Sequence, residues 1–435
     1  MEEKMTEGLD IAVAPEHLPE GSPEERATFG MFTVSANGIA LTEGIDDFTK
    51  APRAGPLVAT CYAASWFAWN WWRLLHEPYR RDSTAWGLSH RLPAIGGGYV
   101  WPNLEIRSDG RRSAILAFPS RRPDARPFRF LGTAPPWLGP QEHLEAALDR
   151  FVTTIIGRLR TNEVAETDLD RLWGELQEER RDPAVARLRR LEAMLGLEPD
   201  EAPEALLDGL VADGRQIGDA AVEELAADAP DGEPVRAADL RSLAQRTAVE
   251  FAASDAVRLP PAALAAARRE DAAWRQGTVA AERLRSAERL GFDPIRTERL
   301  LAMLGASGDP AAVEGARLAF VLRQANGRGA IVLRSRFAEG QRFELARLLG
   351  DQLLFGRDAP ALPATRAYTF RQKAQRSFAA ELLSPFATVE AMLDGDTSEE
   401  AIERAARHFE VSTMTITTLL VNNRRLEREA LADVA

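Results

Sequence analysis

The chain has 435 residues, 45% hydrophobic and 28% charged, with a formal net charge of −12. That length supports two or three domains with ample core, and the acidic balance argues against broad binding to nucleic-acid phosphates. Its single cysteine, Cys61, excludes a disulfide framework and a cysteine metal cluster.

Lysine occurs only at Lys4, Lys50 and Lys373, so arginine supplies nearly all the positive charge. The longest apolar run, 57–75, is broken by Asn70 and Arg73 and does not read as a membrane span. The acidic N-terminus lacks the apolar core of a signal peptide. The expectation is a cytoplasmic α+β protein, predominantly helical, without membrane contact.

Residues 1–25 are polar and carry Pro15, Pro19 and Pro23, the composition of a loose lead-in. Residues 26–140 read as a Trp-rich α/β N-terminal domain. Strand-like runs at 32–34 and 39–41 flank Asn37-Gly38, a hairpin signal. A helix holding Trp66, Phe67, Trp69, Trp71 and Trp72 follows and ends near His76-Glu77-Pro78. Further strands are expected at 99–101, 104–106, 114–118 and 128–131, with Asp109-Gly110 as a turn. Gly96-Gly97-Gly98 lacks both the GK[ST] ending and the strand–loop–helix setting of a phosphate loop, and reads as an ordinary loop.

Residues 141–264 are expected to form a helical middle region, and the helical pattern continues to about 310. Leu144, Leu148, Phe151, Val152 and Ile155 are spaced as one helix face. Pro183 suits a first helical turn. Arg187 to Arg190 read as a charged helix face making salt bridges. Two runs, 191–196 and 300–305, end in Ala-Met-Leu-Gly or its equivalent and read as helices stopped by glycine. A helix is expected from Trp274 to Leu290, ended by Gly291. Runs at 318–322 and 330–333 frame Asn326-Gly327 as another hairpin. In the tail, Thr397 and Glu400 fit a capping box ahead of the apolar stripe Ile402, Ala405, Ala406 and Phe409. With the helix from Thr413 to Leu420 this makes a helix-turn-helix shape, for which internal packing is the favoured role.

The stretch 341–354 sets Leu345, Ala346, Leu349 and Leu353 at helical spacing, the pattern of an amphipathic helix. With the block 377–385, Ser-Phe-Ala-Ala-Glu-Leu-Leu-Ser-Pro, it resembles the ImmA/IrrE family of metallopeptidases. That family shows a run like RRFTLAHELGHLLL, then a Glu-Ala-Asn-x-Phe-Ala-x-x-Leu-Leu-x-Pro block carrying the third ligand. This chain keeps Arg342-Phe343, Leu345-Ala346, Leu349-Gly350 and Phe378 through Pro385. The resemblance covers about residues 265–425 and implies a zincin-like domain over 265–435.

It also implies a degenerate HExxH motif, with the two zinc-binding His replaced by Arg347 and Asp351, the base by Leu348 and the third ligand by Ala374. Arg347 is always protonated and cannot bind zinc, Leu348 cannot act as a base, and Ala374 offers no ligand atom. No metal or other cofactor is therefore expected. Arg347 and Asp351, at i and i+4, are expected to pair in the vacated place. The vestigial pocket is thus Arg347, Leu348, Asp351 and Ala374, and Glu344, Glu381, Trp69 and Trp72 are candidate partner-binding residues.

Active members of the family cleave helix-turn-helix repressors and so switch stress or mobile-element genes. The expected function here is non-catalytic: a partner-recognition, sensor or scaffold subunit in a bacterial regulatory, stress or phage-defence system. Its partner would be a protein, a helix-turn-helix regulator or a larger complex. One alternative is an enzyme with its site in the N-terminal domain, around His76 and His90 near Glu77 and Asp82. The other is a DNA-binding regulator using arginine clusters or the tail, which the net charge does not indicate. His17, His143 and His408 complete the histidines, and none sits in a metal-ligand pattern with another.

Overall fold

The structure, a computed structural model, describes residues 8–81, 83–120, 127–229, 232–247, 249–356 and 358–426. The chain divides into two compact units, 1–207 and 208–435. The fold is mixed α+β and mostly helical. The division falls inside the stretch 141–264.

The first unit runs β1 (Leu9–Pro15), α1 (Pro23–Thr28), β2 (Phe29–Ala36), β3 (Ile39–Ala40), β4 (Gly44–Asp46), β5 (Ala51–Arg53) and β6 (Leu57–Ala59). The tryptophan-rich α2 (Cys61–Trp69) and α3 (Trp71–His76) follow, then α4 (Thr84–His90). After them come β7 (Leu104–Ser108), β8 (Arg112–Ala117), β9 (Phe128–Phe130), β10 (Trp137–Pro140), α5 (Gln141–Thr161), α6 (Asp168–Arg181) and α7 (Pro183–Leu195). Three small antiparallel sheets form: β1-β2-β3 with β6 also on β2, β10-β8-β7, and β5-β4-β9.

The loose lead-in is corrected here over residues 8–25, residues 1–7 of that stretch lying outside the described residues. Leu9 pairs opposite Ala36 and Pro15 opposite Gly30, so β1 is zipped along the whole of β2. Leu9 and Ile11 alternate into the core, which supplies the apolar burial that the proline-rich composition obscured. Ser22 and Glu25 then make a reciprocal cap that opens α1.

The expected strand at 99–101 does not form. Gly96, Gly97 and Gly98 all have positive φ, and this turning path ends with Trp101 buried and its Nε1 donating to the Gly96 carbonyl at 2.6 Å. The Asn37-Gly38 and Asp109-Gly110 hairpins form as expected. The tryptophan helix is two helices, broken at Asn70, whose side chain donates to the Trp66 carbonyl at 2.9 Å. The expected face of α5 is fully buried, and Phe151 meets Phe32 and Phe67 edge-on at 5.6 and 5.7 Å.

The second unit takes α8 (Glu204–Ile217), which begins just before the division, then α9 (Asp219–Ala227), α10 (Ala237–Ala244), β11 (Glu250–Ala252), α11 (Pro261–Arg268), α12 (Ala273–Ala287) and α13 (Thr297–Leu304). It continues with β12 (Ala306–Ser307), β13 (Ala319–Arg323), β14 (Arg328–Val332), α14 (Ala338–Leu354), β15 (Ala361–Ala364), α15 (Phe370–Leu383), α16 (Phe386–Leu393), α17 (Glu399–Phe409) and α18 (Thr413–Asn422). Its sheet has the order β12-β11-β14-β13-β15, every pair antiparallel. Gly196 and Gly305 stop α7 and α13 in the left-handed conformation, as expected. α12 ends at Ala287, ahead of the expected Leu290.

α14 departs from the amphipathic expectation. Its apolar residues Leu345, Ala346 and Leu349 are buried, but so are Arg342, Glu344, Arg347, Asp351 and Gln352. Packing against α12, α13, α15, β13 and β15 leaves it little solvent face, so its polar side chains must find partners inside.

α15 lies against both α12 and α14 at close range. A Cβ on Gly277 would stand 2.3 Å from the Ala374 carbonyl oxygen, and one on Gly350 would stand 2.6 Å from the Phe378 ring. Gly277→Ala is expected to cost about 1–3 kcal/mol, because helix α12 must back away from the α15 backbone. Gly350→Ala should cost less, because a side chain has more room to shift than a backbone. Urea unfolding of the two variants checks the order; equal stability to the parent would show that the helix spacing is not set there.

The tail is capped by Ser398, whose hydroxyl accepts from the Ala401 amide at 3.3 Å, and not by Thr397. Ile402, Ala405, Ala406 and Phe409 form the buried stripe. α18 buries Thr415, Ile416, Thr417, Leu419, Leu420 and Val421, so most of it is spent on packing.

Candidate functional site

The four positions named from the family motif are all buried, Arg347, Leu348 and Asp351 on α14 and Ala374 on α15, and the two helices pack against each other. The expected Arg347–Asp351 ion pair does not form. Asp351 is fully buried, and both its oxygens accept from Arg371 of α15, Nε to Oδ1 and Nη2 to Oδ2, each at 2.6 Å. This bidentate fork is the strongest arrangement open to a carboxylate and guanidinium. It wins over an Arg–Asp i, i+4 pair, which has the less favourable order along a helix.

Arg347 turns to neutral acceptors instead. Its Nη2 donates to the Thr365 carbonyl at 2.6 Å, to the Gln372 side-chain oxygen, and to Gln375 Oε1 at 3.2 Å. Burial, with Arg376 adding like charge, pushes its pKa down to about 9, which leaves it cationic at neutral pH. The two glutamines also donate to the Pro363 carbonyl, at 3.0 and 3.2 Å. The Thr365 amide donates to Gln372 Oε1 at 2.9 Å. Arg371 is held up as a cation, since Asp351 outweighs the cost of its burial. Thr369 donates to Glu224 of α9 at 2.8 Å, and burial pushes that carboxyl up.

This arrangement does not fit a zinc ion. The only carboxylate among the motif positions, Asp351, has both oxygens engaged by Arg371, and a second cation, Arg347, sits beside it. Among the described residues, no three His, Cys, Asp or Glu side chains converge as metal ligands. The residues that shape the network, Arg371, Gln372, Gln375 and Thr365, were missed in the sequence. The available signal was the run Arg371-Gln372-x-x-Gln375 on the helix carrying Ala374, polar residues on a face that the neighbouring apolar block predicts to be buried.

Three of the candidate partner-binding residues are used internally. Glu344 is buried and accepts from the backbone amides of Arg334 and Ser335 at 2.9 and 3.1 Å, which pins the segment entering α14. Glu381 is buried, its oxygens accept from the Phe386 amide at 3.2 and 3.3 Å, and burial raises its pKa to about 7. Trp72 is also buried, donating to Glu179 at 2.7 Å and stacking on His76. Trp69 alone of the four is exposed, at 55%.

The histidines of the first unit serve different contacts. His76 is half-buried against Trp72, and burial, aided by the charge of Arg190, pushes its pKa down to about 3. His90 is wholly buried, stacked on Trp86 at 4.1 Å. Its Nδ1 faces the Ile106 carbonyl at 3.0 Å and its Nε2 faces Glu77 at 3.1 Å. Glu77 also accepts from Arg73 Nε at 2.8 Å. Burial alone would raise the Glu77 carboxyl, but His90 and Arg73 together bring its pKa below the ordinary value. Arg73, Glu77 and His90 are all buried, and Arg73 links them to the partly exposed Glu198. Asp82, named with Glu77 and His90, lies outside the described residues.

Arg189 bridges Glu179, Glu192 and Asp200 at 2.6, 2.8 and 2.8 Å, in keeping with the salt-bridge reading of 187–190. Cys61 is a buried thiol whose pKa burial raises. Compared with protein-family models, with curated proteins and with solved structures, the chain matches none.

Proposed function

We propose that the chain works by binding a protein partner, without hydrolysis, and that its C-terminal unit is an ImmA/IrrE-type peptidase scaffold in which internal ion pairing has replaced zinc chemistry. The partner would be a helix-turn-helix regulator or a subunit of a larger bacterial regulatory or defence assembly. One observation carries this reading: Asp351, at the second zinc-ligand position of the motif, is clamped at both oxygens by Arg371. A motif frame kept while its reactive positions are filled by a buried polar network fits a scaffold retained for its shape. The exposed Trp69 adds an aromatic of the kind that anchors protein interfaces.

The test has two arms. The full chain, incubated with zinc and desalted, should retain far less than one zinc per chain by mass spectrometric metal analysis. Stoichiometric zinc lost on Asp351→Ala would overturn the non-catalytic reading. A variant carrying Arg347→His, Leu348→Glu, Asp351→His and Ala374→Glu should then take up one zinc, provided its melting shows it folded. A folded variant that takes none would remove the peptidase scaffold from the reading.

A further inference from the structure

Outside the α14–α15 network, the second unit carries a cavity of about 770 Å³ between the loop 309–316 and the segment that leads into α14. Its size lies in the range of ligand sites. One side is lined by Arg334, Arg336 and Gln341, and the other by the loop that carries Asp309 and Glu314. Among the described residues, no ion pair joins the two walls.

Both walls are held in place. Glu344 pins the Arg334 and Ser335 amides, and Gln341 donates to the Ser335 carbonyl at 3.0 Å. Arg334 and Arg336 are two residues apart on this stretch and both line the cavity. Opposite them, the Val313 amide donates to the Leu333 carbonyl at 2.9 Å, and Ala312 bridges to Leu333. Arg334 Nε is already paired with the buried Glu344 at 3.4 Å, whereas Arg336, Asp309 and Glu314 have no ion pair among the described residues, and charges left open on an ordered frame favour a ligand that neutralises them at little ordering cost.

We infer that this cavity is a peptide-recognition site for a partner segment carrying charges of both signs, an acidic side chain toward Arg334 and Arg336 and a basic one toward Asp309 and Glu314. The assignment rests on the protein-binding reading above and names the surface that does the binding. Glu344 acts here as a positioning residue, holding Arg334 by its backbone amide and its Nε.

The probes are four fluorescent peptides of equal length, with an acidic and a basic residue spaced apart, acidic residues only, basic residues only, and neither. Free glutamate and arginine serve as small-molecule competitors. Binding to the full chain is read by fluorescence polarisation at low and at physiological salt. The two-sign peptide should bind best and weaken with salt. Arg334→Glu with Arg336→Glu should weaken it about tenfold or more. Asp309→Lys with Glu314→Lys should do the same and leave melting unchanged, and because Arg334 pairs with the buried Glu344, Arg336→Glu alone is the folding-neutral test of the basic wall. Absence of two-sign binding, equal binding by the acidic-only peptide, or binding indifferent to both charge reversals overturns the assignment. Full competition by the free amino acids at equal concentration would also overturn it, marking a small-molecule site. None of these outcomes bears on zinc uptake, which tests the underlying reading separately.

Discussion

Replacing Arg371 by methionine is expected to destabilise the C-terminal unit by about 3–5 kcal/mol, the cost of leaving a buried carboxylate without its partner. Asp351 is fully buried, and Arg371 holds both its oxygens at 2.6 Å. The remaining cation nearby, Arg347, is committed to Thr365, Gln372 and Gln375 and does not face Asp351 within bonding distance. Adding Asp351→Leu to the variant should return most of the loss, because a buried pair exchanged whole for apolar groups is close to neutral. Denaturation must be read unit by unit. Every tryptophan except Trp274 lies in the first unit, so fluorescence reports that one. Hydrogen exchange of peptides from α14 and α15 reports the other. A single-variant loss below about 1 kcal/mol, the level of an exposed pair, would show that the clamp does not hold the interface.

The second large effect belongs to the first unit. Glu77→Leu should cost about 3 kcal/mol, the lower end for breaking a buried pair, since Arg73 Nε and His90 Nε2, both buried, lose their shared carboxylate while Arg73 keeps its ion pair with Glu198. The pH dependence has a definite sign. The folded-state pKa of Glu77 lies below its ordinary value, so its contribution is present above about pH 4.3 and fades as pH falls through the lower folded value. Glu77→Gln keeps the shape but removes that titration. Stability of the parent should therefore fall more steeply on acidification below about pH 4 than that of the variant. Parallel acid curves from tryptophan fluorescence would rule out Glu77 as a source of the acid sensitivity.

Both effects sit on residues that local patterns treat unequally. Asp351 has a cation one turn away at Arg347, and spacing alone pairs them. The partner it takes is Arg371, twenty residues on and in another helix. Likewise Glu77 is adjacent in the chain to His76, yet it binds His90. A helix-period rule ranks contacts along one element and so reaches Arg73–Glu77, whereas Asp351–Arg371 and Glu77–His90 form where two elements meet. The same limit explains Glu344 and Glu381, which looked available to a partner and are consumed by backbone amides.

Much of the architecture was readable in the residues. The five-residue face of α5, the glycine stops after α7 and α13 and the Asn-Gly and Asp-Gly hairpins all came from short-range chemistry, because one residue type satisfies each of those geometries at low cost. Burial of polar groups is different in kind. Whether Arg347, Asp351 or Gln372 meets water or another side chain depends on which helices close over it, and residues 338–354 carry no mark of being enclosed on nearly every side. Assembly of α12, α14 and α15 at glycine-permitted spacing shut out the solvent. Once it was excluded, each enclosed charge had to take the best-oriented partner within reach, however distant along the chain.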